Sequence, residues 1–155
     1  TRDRTDRFSS RVTRHLSLAT ATHMHTVSRV TATPAALELI AALRTQHCSI
    51  LFHQSGGCCD GSAPMCFPTS EFMVGGSDVW LGEIGGVPFY MSCAQFEYWK
   101  HTHLIIDAIP GNGGMFSLER PSGLRFLTRS RLFTDEEEAE LANRDPARSA
   151  SSDGG

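Results

Sequence analysis

No stretch of the sequence approaches the ~20 consecutive apolar residues that a helix needs to span a bilayer, and the first 29 residues lack the apolar segment of a secretory signal. Neither a membrane-bound nor an exported protein is therefore expected, and a cytoplasmic setting is. A Gly-x-Gly-x-x-Gly fingerprint following a strand is also missing. At 155 residues the chain is too short for a cofactor domain beside a catalytic one, so no nicotinamide cofactor is expected. Clustered cations are missing where a nucleic-acid groove would need them. The net charge of −3 divides unevenly: residues 1–30 carry six Arg and two Asp, whereas residues 134–155 carry seven acids and two Arg, and the segment between is close to neutral. No nucleic-acid partner is expected.

Cysteine is scarce and unevenly placed. There are five, an odd number and too sparse for a disulfide scaffold, with no Cys-x-x-Cys pair and none after Cys93. Three of them, Cys58, Cys59 and Cys66, crowd into residues 53–66, which read His-Gln-Ser-Gly-Gly-Cys-Cys-Asp-Gly-Ser-Ala-Pro-Met-Cys. In a reduced compartment clustered cysteines point to metal or redox chemistry. Glycines on both sides of the Cys58–Cys59 pair free the backbone to expose thiols and N–H groups together.

Local signals outline a single small α+β domain with mixed or antiparallel sheets and two or three helices. Thr33 as N-cap and Pro34 at the first helical position open a helix through about Arg44, with Leu37, Ile40, Ala41 and Leu43 on its apolar face. Residues 48–53 read as a strand feeding the cysteine loop. Gly85-Gly86 joins strands 78–84 and 87–91 in a hairpin. Ser92 and Gln95 form a capping box for a short helix bearing Phe96 and Trp99. A strand over 103–109 follows, ended by Pro110. Residues 115–119 and 124–128 read as a second hairpin. Thr134 and Glu137 cap an acidic helix that stops before Pro146. The expected division is a disordered extension over 1–27, with a working start near Met24, a globular domain over 28–133, and an acidic helix with a disordered tail over 134–155.

Several chemistries compete for the loop. Cys58 or Cys59 with Cys66 and His53 could hold zinc or iron. His101 and His103, two apart on one strand face, could reach the same ion, with Asp107 orienting one of them. Gly56 and Gly57 would shape the backbone around a ligand, through positive φ or close approach. A cysteine nucleophile with a histidine base acting on an aldehyde or thioester, a reversible disulfide, and simple packing of the thiols in a structural protein-interaction module without metal are the alternatives. Cys48 and Cys93 read as structural.

The segments Ser55-Gly-Gly-Cys-Cys-Asp-Gly-Ser, Gly85-Gly-Val-Pro-Phe-Tyr-Met, Phe96-Glu-Tyr-Trp-Lys-His-Thr and Gly113-Gly-Met-Phe-Ser-Leu-Glu closely resemble the uncharacterised bacterial family known as domain of unknown function 779, over roughly residues 28–133. Members of that family are often encoded beside aldehyde dehydrogenases. The resemblance therefore implies an accessory protein, rather than an enzyme, partnered by an aldehyde dehydrogenase or a similar oxidoreductase. Ser55-Gly56-Gly57-Cys58 is also similar to the loop of HesB-like A-type iron–sulfur carriers, which implies a HesB-like layout. Those carriers need a Cys-Gly-Cys near the C-terminus; with no cysteine after Cys93, cluster carriage is not expected to transfer.

Overall fold

The computed structural model describes residues 26–57 and 59–144. Residues 1–25 of the expected disordered extension, with the start near Met24, and also Cys58 and the expected disordered tail thus lie outside the described residues. Ten elements follow in order: β1 (Val30–Ala32), α1 (Pro34–Gln46), β2 (Ile50–Gln54), β3 (Met65–Pro68), β4 (Asp78–Ile84), β5 (Val87–Ser92), α2 (Cys93–Trp99), β6 (Thr102–Pro110), β7 (Leu124–Leu132) and α3 (Asp135–Arg144), with a 3₁₀ turn at Arg120–Ser122. The described residues form an α+β domain of three helices and two mixed sheets, one ordered β1-β6-β7 and the other β3-β2-β5-β4.

Local chemistry sets the helix starts. The Thr33 hydroxyl accepts the Ala36 N–H at 3.2 Å with Pro34 behind it, and Ser92 accepts the Gln95 N–H at 3.2 Å. At α3 the capping box closes both ways, Glu137 N–H to Thr134 and Thr134 N–H to Glu137. Arg131 clamps the same Glu137 with two 2.8 Å bonds, which hold its carboxyl down at about 2. The buried face of α1 is Ala36, Leu39, Ile40 and Leu43, so of the four expected residues Ile40 and Leu43 are on it, whereas Leu37 and Ala41 are not. Its i, i+3, i+4, i+7 spacing turns Leu37 and Ala41 outward.

The β4–β5 hairpin turns on Gly85 and Gly86, both left-handed at φ +56° and +75°. Such a turn needs positive φ at two successive residues, which glycine supplies without strain. The second expected hairpin is absent. Residues 115–119 are turn and coil, and β7 instead pairs with β6 over nine positions, from Thr102 opposite Leu132 to Pro110 opposite Leu124. The long, apolar β6 offers a complete ladder, whereas 115–119 gives one backbone bond to β3, from Leu118 N–H to the Cys66 carbonyl.

Between the sheets lies a core of aromatic and aliphatic side chains. Phe52 of β2 stacks on Phe89 of β5 at 5.9 Å and meets Phe126 of β7 edge-on at 4.9 Å, so one ring joins both sheets. The acidic helix α3 docks as well: Leu141 is buried, Glu140 accepts the Val27 N–H, and Arg144 donates to the Val27 carbonyl, both at 2.8 Å. None of the described helices is long and apolar enough to cross a membrane.

Phe52→Ala should lower the unfolding free energy by about 3–5 kcal/mol, the usual cost of emptying a packed aromatic site. Urea unfolding measures it. A loss under about 1 kcal/mol would mean that the sheets do not meet through this ring.

Candidate functional site

Strand β2 alternates between two environments, and that alternation builds the site. Phe52 and Gln54 point into the core between the sheets, so His53 points out of it, on the opposite face. There the His53 ring is covered by Phe72 at 4.7 Å, itself stacked on Phe67 of β3 at 4.9 Å. The imidazole is 5% exposed and both its nitrogens are engaged: Nε2 with Asp78 Oδ1 at 2.9 Å, and Nδ1 with the Ser55 hydroxyl at 2.7 Å. Asp78 opens β4, and its other oxygen accepts the Gly75 N–H at 2.8 Å. The bond from His53, then the one from Gly75, hold the Asp78 carboxyl below the usual carboxylate range. Ionised at neutral pH, Asp78 can only accept, so Nε2 carries the imidazole proton. In the neutral imidazole Nδ1 is then the acceptor and Ser55 the donor. A hydroxyl on the exposed Ser55 is thereby tied to a shielded base and a buttressing carboxylate.

The loop over 55–62 leaves this network and is tied to two further elements. Trp99 of α2 donates its indole N–H to the Gly57 carbonyl at 3.1 Å. On the β7 side, Gly61 N–H reaches the Thr128 carbonyl at 2.8 Å, Thr128 N–H reaches the Ser62 carbonyl at 2.7 Å, and Ser130 donates to Asp60 at 2.6 Å. Cys59 stands exposed in this loop as a free thiol, its carbonyl accepting the Ser62 hydroxyl at 2.7 Å. Gly57 is left-handed at φ +92°, and a Cβ there would run into the Ser62 side chain. Gly56 has neither a left-handed φ nor a neighbour within 4 Å of a would-be Cβ, so the expected need for special backbone holds at Gly57 alone.

The remaining sequence-predicted residues are dispersed. Cys66 lies on β3 opposite Phe52 and faces the core, whereas His53 is opposite Met65 on the other face. Burial, and then the nearby Glu119, push its thiol up to about 12, which keeps it protonated at neutral pH. His101 is in the turn before β6 rather than on the strand. It is exposed, pairs with Glu138 at 2.8 Å, and its carbonyl takes the Phe133 N–H. His103 is buried against β1, bonded to Thr31 at 2.7 Å, and desolvation pushes its pKa down. Asp107 serves no histidine among the described residues. It accepts from Thr33 at 2.7 Å and from Arg129 at 3.1 Å, bracing the start of α1. Cys48 and Cys93, read as structural, are both exposed. Among the described residues no three His, Cys, Asp or Glu side chains are placed together to hold a metal ion; Cys58 is outside them.

Two residues escaped the sequence reading. Asp78 sits 25 positions from His53 and behind the unremarkable Gly75-Gly76-Ser77, with no local signal of a partner. Glu119 is fully buried; Ser117 donates to its Oε2, while Oε1 finds no partner among the described residues. Desolvation raises its pKa.

A protein-family model described as "Domain of unknown function (DUF779)" matches residues 39–132. That span takes in β2, the loop, Asp78 and Glu119, and stops at the end of β7, before α3. No curated protein matches the chain.

Two outcomes follow from this geometry. Gly57→Ala should destabilise the fold by more than about 1 kcal/mol, and Gly56→Ala by less than about 0.5 kcal/mol. Equal losses in thermal or urea unfolding would contradict the backbone assignment. At Glu119 the folded state holds its proton more tightly than the unfolded chain. Its burial therefore costs nothing below the unfolded value of about 4.3, and progressively more as pH rises through the folded-state pKa. Glu119→Gln should thus gain stability relative to the parent chain between about pH 4 and pH 8. A constant difference across that range would show that burial does not raise the Glu119 pKa in the folded state.

Proposed function

The chain belongs to the DUF779 family, whose matched region covers 39–132, and from that premise we propose that it is a small accessory protein presenting the Cys59 thiol on the 55–62 loop to an oxidoreductase. An aldehyde dehydrogenase is the partner that the family resemblance points to. The observation carrying the reading is a free, exposed thiol on a loop that is short, glycine-shaped and tied to α2 and β7. A thiol held in this way meets a partner surface without the cost of ordering a loose loop. The layout is taken as HesB-like on the strength of the Ser55–Gly57 stretch. Zinc or iron, if it is part of the function, would draw on Cys58 and Cys59 of the same loop, because the other candidate ligands are committed elsewhere.

The test is a purified aldehyde dehydrogenase from the same cell, titrated with the full-length chain. Complex formation on size exclusion, or altered turnover, is expected with the parent chain and with Cys48→Ser. At least a tenfold weakening is expected with Cys59→Ser, about 1.4 kcal/mol of coupling. An enzyme indifferent to the chain removes the partner, and a Cys59→Ser chain equal to the parent removes the thiol. Elemental analysis of the same samples decides the metal: stoichiometric zinc or iron that is lost with Cys59→Ser assigns the loop to metal binding instead.

A further inference from the structure

Apart from the Cys59 thiol, the described residues hold a chain of bonds from Ser55 through His53 to Asp78. Its three parts come from different levels of structure. Ser55 and His53 are two apart at the end of β2, and residues two apart in extended backbone share a face. Asp78 arrives from β4, two strands away across β5 in the same sheet. The ring between them is 5% exposed under Phe72, which shields it from water while Ser55 stays exposed. A hydroxyl needed only to pin the loop would be served by any backbone acceptor. Here it is bonded at 2.7 Å to an imidazole nitrogen whose opposite nitrogen is held by a carboxylate at 2.9 Å. That is the donor–base–carboxylate order of a nucleophilic hydroxyl, recognised by roles rather than by position in the chain. Exposed Gly56 and Gly57 follow directly, putting backbone N–H groups next to the nucleophile in sequence.

We propose that Ser55, His53 and Asp78 form an acyl-transfer centre acting on small activated acyl groups, thioesters or aryl esters. The relay supplies a single base, which suits a carbonyl whose leaving atom departs readily. Ser55 Oγ adds to the thioester carbonyl as its proton passes to His53 Nδ1. The C–S bond then breaks, and the departing sulfur takes that proton from Nδ1, leaving acyl-Ser55. Water adds to the acyl carbon, giving a proton to Nδ1; the C–Oγ bond breaks and Ser55 recovers the proton. The net change is thioester and water to carboxylic acid and thiol, with no oxidant or reductant. Asp78 is a positioning residue: it keeps the imidazole proton on Nε2 and the ring aligned with Ser55.

The experiment is hydrolysis of 4-nitrophenyl acetate by the full-length chain, with the acylated residue located by mass spectrometry after an acid quench. Turnover with acetyl on Ser55 is expected. Ser55→Ala, which removes the attacking oxygen, should lower the rate by about 100-fold or more. Asp78→Asn should lower it at least about tenfold through the wrong tautomer, with the melting temperature of each variant recorded alongside. Cys48→Ser should match the parent. Acetyl found on Cys59 instead of Ser55, a Ser55→Ala rate equal to the parent's, or a normally folded parent chain with no turnover above buffer would each overturn the proposal. None of these results depends on whether a dehydrogenase binds, so this centre and the Cys59 reading stand or fall separately.

Discussion

The contact between Phe52 and its two aromatic neighbours is the constraint on which the other parts depend. A domain of this size buries a limited apolar surface, and here much of it converges on one ring placed between Phe89 in its own sheet and Phe126 in the other. Setting Phe52 inward fixes the orientation of every other residue on β2. Leu51 and His53 must face away, and that second face is kept from water by Phe67 and Phe72 rather than by the main core. The hydrophobic effect thus acts twice on one five-residue strand. The outer, thinner layer is where a polar group can be buried and still reach the surface through its neighbour.

The loop that follows translates this order into position. It leaves β2 at Ser55, leans on the Trp99 indole, and runs against β7, so it touches elements from both sheets. Cys59 and Ser55 are both exposed within it, four residues apart, in different settings. The thiol stands free and its carbonyl is tied, whereas the hydroxyl is tied to the imidazole. Cys66 on β3 and Glu119 in the turn before Arg120 are both buried away from the loop, and desolvation pushes both pKa values up.

How much of this was legible in the sequence follows the range of the interactions. Thr33-Pro34, Ser92 with Gln95, Thr134 with Glu137, and Gly85-Gly86 all act within four residues, and each marks an element that forms where it was read. The three-residue β1 is too short to show a period, and β3 hides in the Met65–Pro68 stretch of an apparent loop. Residues 115–119 carry the composition of a strand but lose the competition for β7 to β6. At the site, the place of His53 at the strand exit and the need for glycine at position 57 could be read, although His53 was expected as a metal ligand and is instead bonded to Ser55 and Asp78. The network itself could not, because Asp78 is joined to His53 only by the ordering of strands 25 residues apart. The histidines at 101 and 103 looked like a pair by spacing; the strand begins between them, and each finds its own partner.

The two-faced character of β2 also bears on how this protein can change over time. Inserting or deleting one residue upstream of Phe52 would turn its ring onto the face that His53 now occupies, and His53 onto the face where the two sheets meet. Core and site would be lost in one event, since neither can be shifted without the other. Lineages can explore side chains on the loop one at a time, but the spacing from Ile50 to Ser55 is closed to drift. Variation in length should therefore be confined to segments such as the 69–77 connection, which bears the covering Phe72 outside any strand or helix.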